Sequence, residues 1–351
     1  MRETKTKNDR KEHDKMIKFD SQKIKNMPWE DCPEGFEGPV WRYSKNPIIN
    51  RNPIKGITRI FNSAVVYWKD EYYGIFRAED ISTLPNLRFG KSKDGINWEY
   101  EDHTLWIQDE EGNPVYLYYA YDPRITKIDD VFHITFCCDF YGPTVGLITT
   151  TDFKKFVLRE KPFIPYNRNG VLFPRKFNGC YKILSRASDN GHTPFGDIFS
   201  SDSPDLVYWG RHRHVMERGG VGWWQGTKIG AGPTPIETEI GWIMLYHGVC
   251  NTCNGYVYSM GAAILDKDEP SKVLYRSRDY ILTPEAPYEE TGFVPNVVFP
   301  CSTLVNEDGR VAIYYGAADS YVALGFTTID RLVDFIINHN EKVGRDNEIG
   351  K

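Results

Sequence analysis

The sequence lacks a hydrophobic run that could cross a membrane as a helix, which takes roughly 18 to 20 apolar residues. It also lacks the apolar stretch of a secretory signal peptide. Cysteine is sparse, with seven residues, and no second ligand pair follows Cys250 and Cys253 to complete a zinc site. These absences predict a soluble, cytoplasmic protein with reduced thiols and no bound metal.

Positive charge is scarce outside the N-terminal segment. The chain has 43 Lys and Arg against 48 Asp and Glu, a net charge of −5. Residues 1–26 hold nine of the basic and five of the acidic residues, which leaves −9 for the rest. Such an excess of negative charge is atypical of nucleic-acid-binding proteins. A site for an anion would therefore need a local cluster of basic residues. The mixed charges of residues 1–26 fit a disordered tail or a helix packed on a neighbouring subunit.

Aromatic residues are abundant, with 22 Tyr, 19 Phe and 9 Trp, and they recur in a repeated pattern. Five times, an apolar strand is followed by a tight acidic or glycine turn and a second, aromatic strand, which predicts five β-hairpins. The turns begin near residues 70, 129, 178, 240 and 308, at a mean spacing of about 60 residues. Most hairpins are followed by an Asp-centred turn and an aromatic residue, such as Trp98 or Trp209, that can close the unit.

Five such units predict an all-β fold, a five-bladed β-propeller in which short antiparallel strands repeat around an axis. A two-sheet sandwich is the alternative, but it gives no reason for a motif that recurs five times. Apolar residues at helical spacing predict a short helix over residues 330–337. The predicted organisation is a charged extension (1–27), a propeller (28–336) and a tail (337–351), with helical extensions at both ends.

Polar residues stand at equivalent starts of the five repeats, in strands that are otherwise apolar. The first strand of each propeller blade lines the central channel, so these positions converge on one axis. Because buried polar groups are costly without partners, they indicate a wet ligand-binding funnel or a hydrogen-bond network that plugs the channel. The positions are Asn62-Ser63, Asp122 to Arg124, Asn167 to Gly170, Lys228 to Gly230, and Asn296.

Basic side chains stand in the first strands of the repeats and in the second strands that follow them. Each one alone is most simply a structural ion-pair partner. If they all point into one funnel of an acidic protein, they predict a small anionic ligand, and phosphate suits the forked donors of arginine. The residues concerned are Arg168, Arg186, Lys228 and His247.

Four carboxylates are candidates for proton transfer, namely Asp122, Asp189, Glu289 and Asp319. Asp122 lies at a blade start, where partial desolvation suits a general acid, although an Asp before Pro is also a common turn residue. A hydrolase of glycosidic bonds usually needs a second carboxylate to activate water. A phosphorolytic enzyme does not need one, because phosphate itself is the nucleophile.

Longer motifs are more specific than these single residues. They are Trp41 to Pro47, Phe61 to Val65, Tyr121 to Arg124, Asn167 to Lys176, Ser188 to Asp197, Gly210 to His214, Lys228 to Pro233 and Tyr246 to Gly248. Together they closely resemble the β-mannoside phosphorylases of glycoside hydrolase family 130, over about residues 28 to 336. The Ser188 to Asp197 motif and the run from Cys253 to Tyr258 resemble the branch that uses β-1,4-mannooligosaccharides or mannosyl-β-1,4-N-acetylglucosamine.

The resemblance implies a five-bladed propeller that performs inverting phosphorolysis of a terminal β-1,4-mannosidic bond and releases α-mannose 1-phosphate. It implies Asp122 as the general acid, acting through the mannosyl 3-hydroxyl. The implied phosphate ligands are Arg168, Asn169, Arg186, Lys228, His247 and Tyr258. The implied sugar contacts are Asn62, Ser63, Arg77, Tyr121 and Asp319, with Asp189, His192 and Glu289 around the acceptor.

No cofactor is expected besides phosphate as co-substrate, and the expected partners are a β-mannoside, phosphate and further copies of the chain, as in a hexamer. The loop from Glu217 to Trp224 is of a kind that varies in the family, so mannosyl-glucose and β-1,2-mannoside phosphorylases stay open as alternatives. A hydrolase that pairs Asp122 with Asp319 or Glu289 is another alternative, and a non-catalytic sugar-binding propeller is the last. Trp223 and Trp224 are candidate sugar platforms.

Overall fold

A computed structural model of the chain describes residues 17–188, 196–219 and 223–341. Five sheets of short strands form the five-bladed β-propeller that the repeat predicts. A short strand, β1 (Trp41–Arg42), precedes the blades. Blade I contains β2 (Arg59–Trp68), β3 (Glu71–Glu79), β4 (Pro85–Ser92) and β5 (Glu99–Tyr100); blade II contains β6 (Ile107–Gln108), β7 (Ala120–Ile128), β8 (Val131–Asp139), β9 (Pro143–Thr150) and β10 (Phe156–Leu158).

The remaining strands follow the same order along the chain. Blade III contains β11 (Asn167–Leu172), β12 (Tyr181–Ala187), β13 (Ile198–Ser203) and β14 (Gly210–Met216). Blade IV contains β15 (Lys228–Ala231), β16 (Ile236–Thr238), β17 (Gly241–Thr252), β18 (Gly255–Leu265) and β19 (Val273–Arg276). Blade V contains β20 (Val298–Val305), β21 (Arg310–Ala317) and β22 (Tyr321–Thr328). The described residues also form two α-helices, α1 (Pro287–Glu290) and α2 (Ile329–Asn338), and a 3₁₀-helix at Trp223–Gln225.

The ring of blades is closed by the N-terminal strand. β1 pairs antiparallel with β22, with Trp41 opposite Phe326 and Arg42 opposite Gly325, so blade V takes its outermost strand from the start of the chain. Arg42 also binds the buried carboxylate of Glu289 in α1, with Nε–Oε1 and Nη2–Oε2 distances of 2.8 Å. A bidentate arginine–carboxylate ion pair therefore fixes the closing strand, β1, against blade V.

The hairpin turns lie where the sequence predicts them. Asp70, Asp129 and Asn178 have positive φ values of 63°, 53° and 50°, a conformation that Asp and Asn tolerate better than most residues. The Asp-centred turn that follows is also repeated, since Asp94 Oδ1 accepts the backbone N–H groups of residues 96 and 97. The equivalent turns are centred on Asp152, Asp205 and Asp266.

The hydrophobic core lies between neighbouring blades. Each adjacent pair of sheets encloses a cluster of buried apolar side chains, including the pair formed by blades V and I. The predicted C-terminal helix is present as α2, which begins at the cap residue Thr328, whose side chain accepts a hydrogen bond from the Arg331 N–H at 3.2 Å. Its apolar face, including Leu332 and Ile336, is buried in the cluster between blades IV and V.

The described part of the N-terminal segment is extended, which corrects the expectation of a helix or a free tail there. Ile24 and Met27 are buried against blades V and I, and the Ile24 N–H donates to Asn306 Oδ1 at 3.0 Å. These apolar side chains bind the segment to its own propeller. Residues 1–16 lie outside the described residues. Among the described residues, no helix has the length and apolarity that a bilayer crossing requires.

Candidate active site

The inner strands of the blades surround a cavity of about 350 Å³. Every blade contributes to its wall, so the convergence that the repeat predicts is found in the structure. The predicted residues that line the cavity are Asn62, Arg77, Tyr121, Asp122, Arg168, Asn169, Arg186, Lys228, His247, Tyr258 and Asp319.

Three of these side chains stand on equivalent bulges of the inner strands. Asn62, Asp122 and Asn169 have φ values of 49°, 51° and 53°, and the strand register shifts at each of them. A bulge inserts an extra residue and redirects its side chain, and a left-handed residue at that place is best supplied by Asn or Asp. The repeated bulge therefore turns one polar side chain from each of blades I, II and III into the cavity.

Asp122 is held by two donors from blade I. Its Oδ1 accepts hydrogen bonds from Asn62 Nδ2 at 2.8 Å and from Arg77 Nη1 at 3.0 Å. No hydrogen bond to Oδ2 is found within the described residues, which leaves that oxygen to interact with a ligand. Gly316 makes room for the contact, because a side chain at this position would collide with the Asn62 amide.

Arg77 is oriented by a buried carboxylate that sequence reasoning missed. Glu79 accepts hydrogen bonds from Arg77 Nη2 at 2.7 Å and from Arg59 Nη2 at 2.6 Å. Glu79 and Arg59 are both buried, so solvent does not screen the interaction between their charges. The signal was present as Arg-x-Glu in one strand, because residues two apart in a strand share a face.

The opposite side of the cavity is cationic. Arg168 and Arg186 come from blade III and Lys228 from blade IV, and no carboxylate lies within 4 Å of their cationic nitrogens in the described ranges. Burial, together with the charges of Arg186 and Arg168, lowers the pKa of Lys228 to about 8. The three cations repel one another and have no counter-charge, so a bound anion would stabilise them.

His247 is a neutral member of this cluster. Its Nε2 lies 2.9 Å from Nη1 of Arg186, which is always a donor, so Nε2 accepts and the ring proton is on Nδ1. Burial, with the nearby positive charges, holds the pKa of His247 well below its usual value. A Cβ at Gly230 would lie 2.5 Å from His247 Cε1 and 2.8 Å from Asn169 Oδ1, so only glycine leaves room for both side chains.

Arg124, two residues after Asp122 in β7, connects the inner parts of two blades. This fully buried guanidinium donates to the backbone carbonyl oxygens of Gly232 at 2.6 Å and Pro123 at 2.9 Å. The hydrogen bond to Gly232 links blade II to blade IV, while the residues that line the cavity leave it open to a ligand.

Asp319 lies on the blade V side of the cavity. Burial raises its pKa to about 6 against the opposing effect of Arg77, and the charge of Asp122 adds to the increase. Asp319 has a φ of 46°, so Asn is the substitution that keeps both the shape and the backbone conformation.

We expect Asp319→Asn to raise the melting temperature by about 2–4 °C at pH 7.5 and by much less at pH 4. Between its usual pKa near 3.8 and about 6, the folded chain binds more protons than the unfolded chain at this group. Stability therefore falls as pH rises through this window, and the ionisation penalty that Asn removes is complete above it. Thermal unfolding at the two pH values, with the exposed turn variant Asp129→Asn as control, measures the effect. A lower melting temperature of Asp319→Asn at pH 7.5 would contradict it.

Two predicted sugar contacts are not at the cavity. Ser63 is completely buried in β2, where its carbonyl oxygen accepts the Ser302 hydroxyl at 2.9 Å. Glu289 is completely buried, and its carboxylate is occupied by Arg42 and by the Tyr315 hydroxyl at 2.8 Å. The structure therefore gives both residues packing contacts in place of a ligand-facing position. Asp189 and His192 lie outside the described residues.

The two tryptophans considered as sugar platforms do not line the cavity either. Trp224 stacks on Tyr246 at 5.8 Å and covers Gly248 and Gly261, so it packs within blade IV. Trp223 is largely exposed. Sequence reasoning missed several residues that do line the cavity. Tyr256 was the easiest of them to predict, because it lies two positions before Tyr258 in one strand, so that both side chains share a face. The missed residues are Phe136, Cys137, Tyr256, Val294, Val297 and Phe299.

Comparisons with known proteins agree with this geometry. The family model of glycoside hydrolase family 130, described as β-1,4-mannooligosaccharide phosphorylase, matches residues 20–338. The β-1,4-mannooligosaccharide phosphorylase of Ruminococcus albus is 50% identical over 326 residues, which cover 90% of this chain and 96% of that protein. The β-1,2-mannobiose phosphorylase of Listeria innocua is 36% identical over 246 residues, covering 69% of this chain and 66% of that protein. A solved structure of a β-1,2-mannobiose phosphorylase from Listeria innocua, in complex with β-1,2-mannobiose, has a TM-score of 0.75 and 28% identity, and covers 85% of this chain and 99% of that one.

Proposed function

We propose, from the premise that the chain belongs to glycoside hydrolase family 130, that it is an inverting phosphorylase of β-1,4-linked mannosides. The reaction transfers the terminal mannosyl group to phosphate and releases α-mannose 1-phosphate with a shortened acceptor. The observation that carries this proposal is the cluster of Arg168, Arg186 and Lys228, which have no carboxylate partner in the described ranges and face the same cavity as Asp122.

The proposed roles follow from the two sides of the cavity. Phosphate, held by the three cations, attacks the anomeric carbon from the blade III and IV side. Asp122 acts as general acid and supplies a proton for the leaving oxygen on the other face, through the mannosyl 3-hydroxyl. Asn169, His247 and Tyr258 complete the phosphate site, and the neutral His247 accepts from Arg186 and thereby orients this guanidinium. Asn62, Arg77, Tyr121 and Asp319 are proposed to contact the sugar.

The proposed linkage is β-1,4, supported by the 50% identical relative from Ruminococcus albus. The relatives named for β-1,2-mannobiose are less similar, and phosphorolysis of β-1,2-mannosides or of mannosyl-glucose is the alternative outcome of a substrate test. Asp189 and His192 stay predicted acceptor contacts. For Glu289 and Ser63 the buried side chains support an indirect, packing role instead.

Hydrolysis is the second candidate reaction, because Asp319 is a carboxylate that shares the cavity with Asp122. Its place beside Arg77, whose charge opposes proton uptake by the carboxylate, supports sugar binding more than activation of water. Glu289, the other carboxylate considered for this reaction, is occupied by Arg42.

The co-substrate, cellular location, oligomeric state and domain organisation of the enzyme are proposed as follows. Phosphate serves as co-substrate, as in the phosphorylases of the family, and no organic cofactor or metal takes part. The seven cysteines, all free thiols, support a reducing, cytoplasmic location. The enzyme is proposed to be a homo-oligomer such as a hexamer, with an extension at 1–27, a catalytic propeller at 28–336 and a tail at 337–351.

A phosphate-dependence experiment tests the reaction type. We expect β-1,4-mannobiose to be consumed only when inorganic phosphate is present, with mannose 1-phosphate and mannose formed in equal amounts. Product analysis by ion chromatography in matched buffers with and without phosphate measures this. Equal turnover without phosphate, giving only free mannose, would support the hydrolase instead. Substrate binding without turnover in either buffer would support a non-catalytic propeller.

A further inference from the structure

A second cavity of about 490 Å³ lies between blades I and II, and we refer to it as the I–II groove. Its walls come from the start of β4 and from the segments before and after β6. The aromatic residues Trp106, Tyr116 and Tyr118 line it, with exposed fractions of 57%, 85% and 72%. Three large rings exposed in one depression require an explanation, because isolated aromatic residues at a surface are common but such clusters mark binding sites.

The I–II groove adjoins the catalytic cavity along β7. Ala120 lines the groove, whereas the next two residues of β7, Tyr121 and Asp122, line the cavity. The ring centroids of Tyr118 and Tyr119 are 6.0 Å apart, and those of Tyr119 and Tyr121 are 5.7 Å apart. A row of aromatic rings therefore leads from the side of Asp122 into the groove.

The chemistry of the groove differs from that of the catalytic cavity. Its lining residues include no lysine or arginine, and its polar groups are few, among them Asp80, Asn86 and His103. Such a surface has nothing to offer a phosphate or a nucleic acid. Exposed rings with a few polar neighbours suit a neutral ligand that has both apolar faces and hydroxyl groups, as a sugar chain has.

The geometry of an inverting displacement gives the direction of the sugar chain. The nucleophile and the leaving group lie on opposite faces of the sugar ring. With phosphate on the side of blades III and IV, the leaving oxygen and the chain attached to it lie toward blades I and II. The I–II groove opens on that side, next to Asp122.

We propose that the I–II groove binds the reducing-end units of a β-1,4-mannooligosaccharide, beyond the sugar that directly receives the proton. The groove makes the enzyme prefer longer chains over the disaccharide. This inference rests on the proposed function, because it assigns the groove to the leaving group of that reaction. Trp106 and Tyr116 act as stacking platforms for the distal units.

The test compares substrates of two lengths in a double variant, Trp106→Ala with Tyr116→Ala. We expect kcat/KM for mannotetraose to fall about tenfold, whereas kcat/KM for mannobiose stays within about twofold of the wild type. Both residues are exposed, so the substitutions spare the core. Tyr208→Ala, which removes another exposed tyrosine that lines neither cavity, is the matched control and should change neither value.

Three results would overturn the groove proposal. They are an unchanged kcat/KM for mannotetraose, an equal loss with both substrates, and a change of oligomeric mass in light scattering, which would make the groove an interface between copies. A wild type that releases no mannose 1-phosphate from mannobiose and phosphate would instead contradict the proposed function. In that case calorimetric titration with mannotetraose decides for the groove, because weaker binding by the double variant supports it and equal binding overturns it.

Discussion

Asp122→Asn is expected to reduce the rate of phosphorolysis by roughly 10²- to 10⁴-fold, the range for removing a general acid. The Asn side chain keeps the shape of Asp and the left-handed backbone of the bulge, where φ is 51°. An Asn oxygen can still accept the hydrogen bonds from Asn62 and Arg77. Only the transferable proton is lost, so kcat should fall far more than the affinity for the sugar. Steady-state kinetics with mannobiose and saturating phosphate measures the effect.

The leaving group and a matched variant separate proton transfer from misfolding. A β-mannoside with an activated aryl leaving group needs little protonation, so the variant should recover most of its rate on that substrate. Asp129→Asn is the control, since Asp129 is an exposed, left-handed residue at the far end of the same strand, with φ of 53°. A variant of Asp122 with half the wild-type activity on mannobiose would refute the role, and so would an equal loss on both substrates.

Lys228→Met is expected to lower kcat/KM for phosphate by roughly 10²- to 10³-fold, as the loss of one electrostatic contact to a transferring group does. The same variant should be more stable than the wild type in the absence of phosphate. Burial and the charges of Arg186 and Arg168 lower the pKa of Lys228 from 10.5 to about 8, so its ammonium group destabilises the free enzyme. Methionine fills similar space without the charge.

The lowered pKa of Lys228 makes the stability of the folded chain depend on pH. Between pH 8 and 10.5 the unfolded chain keeps the Lys228 proton while the folded chain loses it, so stability rises with pH through this window. The penalty is complete below about pH 8. The gain in melting temperature from Lys228→Met should therefore be largest near neutral pH and vanish near pH 10. The wild type should also bind phosphate less well as pH rises above 8.

Lys182→Met provides the opposite case. Lys182 is buried, but its ammonium group forms an ion pair with Asp202, so its removal leaves a carboxylate without its buried partner and should destabilise the fold. Thermal unfolding of both variants, with and without phosphate, measures the contrast. If Lys228→Met lowered the melting temperature as Lys182→Met does, the cation cluster would be a structural network and not an anion site.

Residues with strong local preferences made the fold predictable from the sequence. The Asn178-Gly179 and Asp308-Gly309 turns, together with the Asp-centred turns, occur at the same place in successive blades, and five repeats leave few arrangements. Apolar spacing likewise predicted α2. The structure of the N-terminal segment was not predicted correctly, because its many charged residues obscure the signal of two apolar residues, Ile24 and Met27. The burial of these two residues depends on blades that lie far away in the sequence.

The site was predictable where the polar residues stand in inner strands. Convergence on one axis follows from the repeat, so Asp122, Lys228 and His247 could be placed together without a structure. Glu79 was missed because its function is to hold Arg77, and such a contact leaves no motif of its own. Glu289 was placed near the acceptor, yet the structure pairs it with Arg42, a residue 247 positions away, and no local signal shows such a pairing.

The closure of the ring by β1 has a consequence for biosynthesis. Trp41 and Arg42 leave the ribosome before any blade is synthesised, whereas their pairing partners, Phe326 and Gly325, follow only after blades I to IV. The closing strand therefore stays unpaired throughout the synthesis of four blades, and blade V gains its outermost strand only after translation has passed β22. Blades I to IV are each built from strands that are contiguous in the sequence, whereas closure of the ring depends on a long-range pairing that a nascent chain cannot make early.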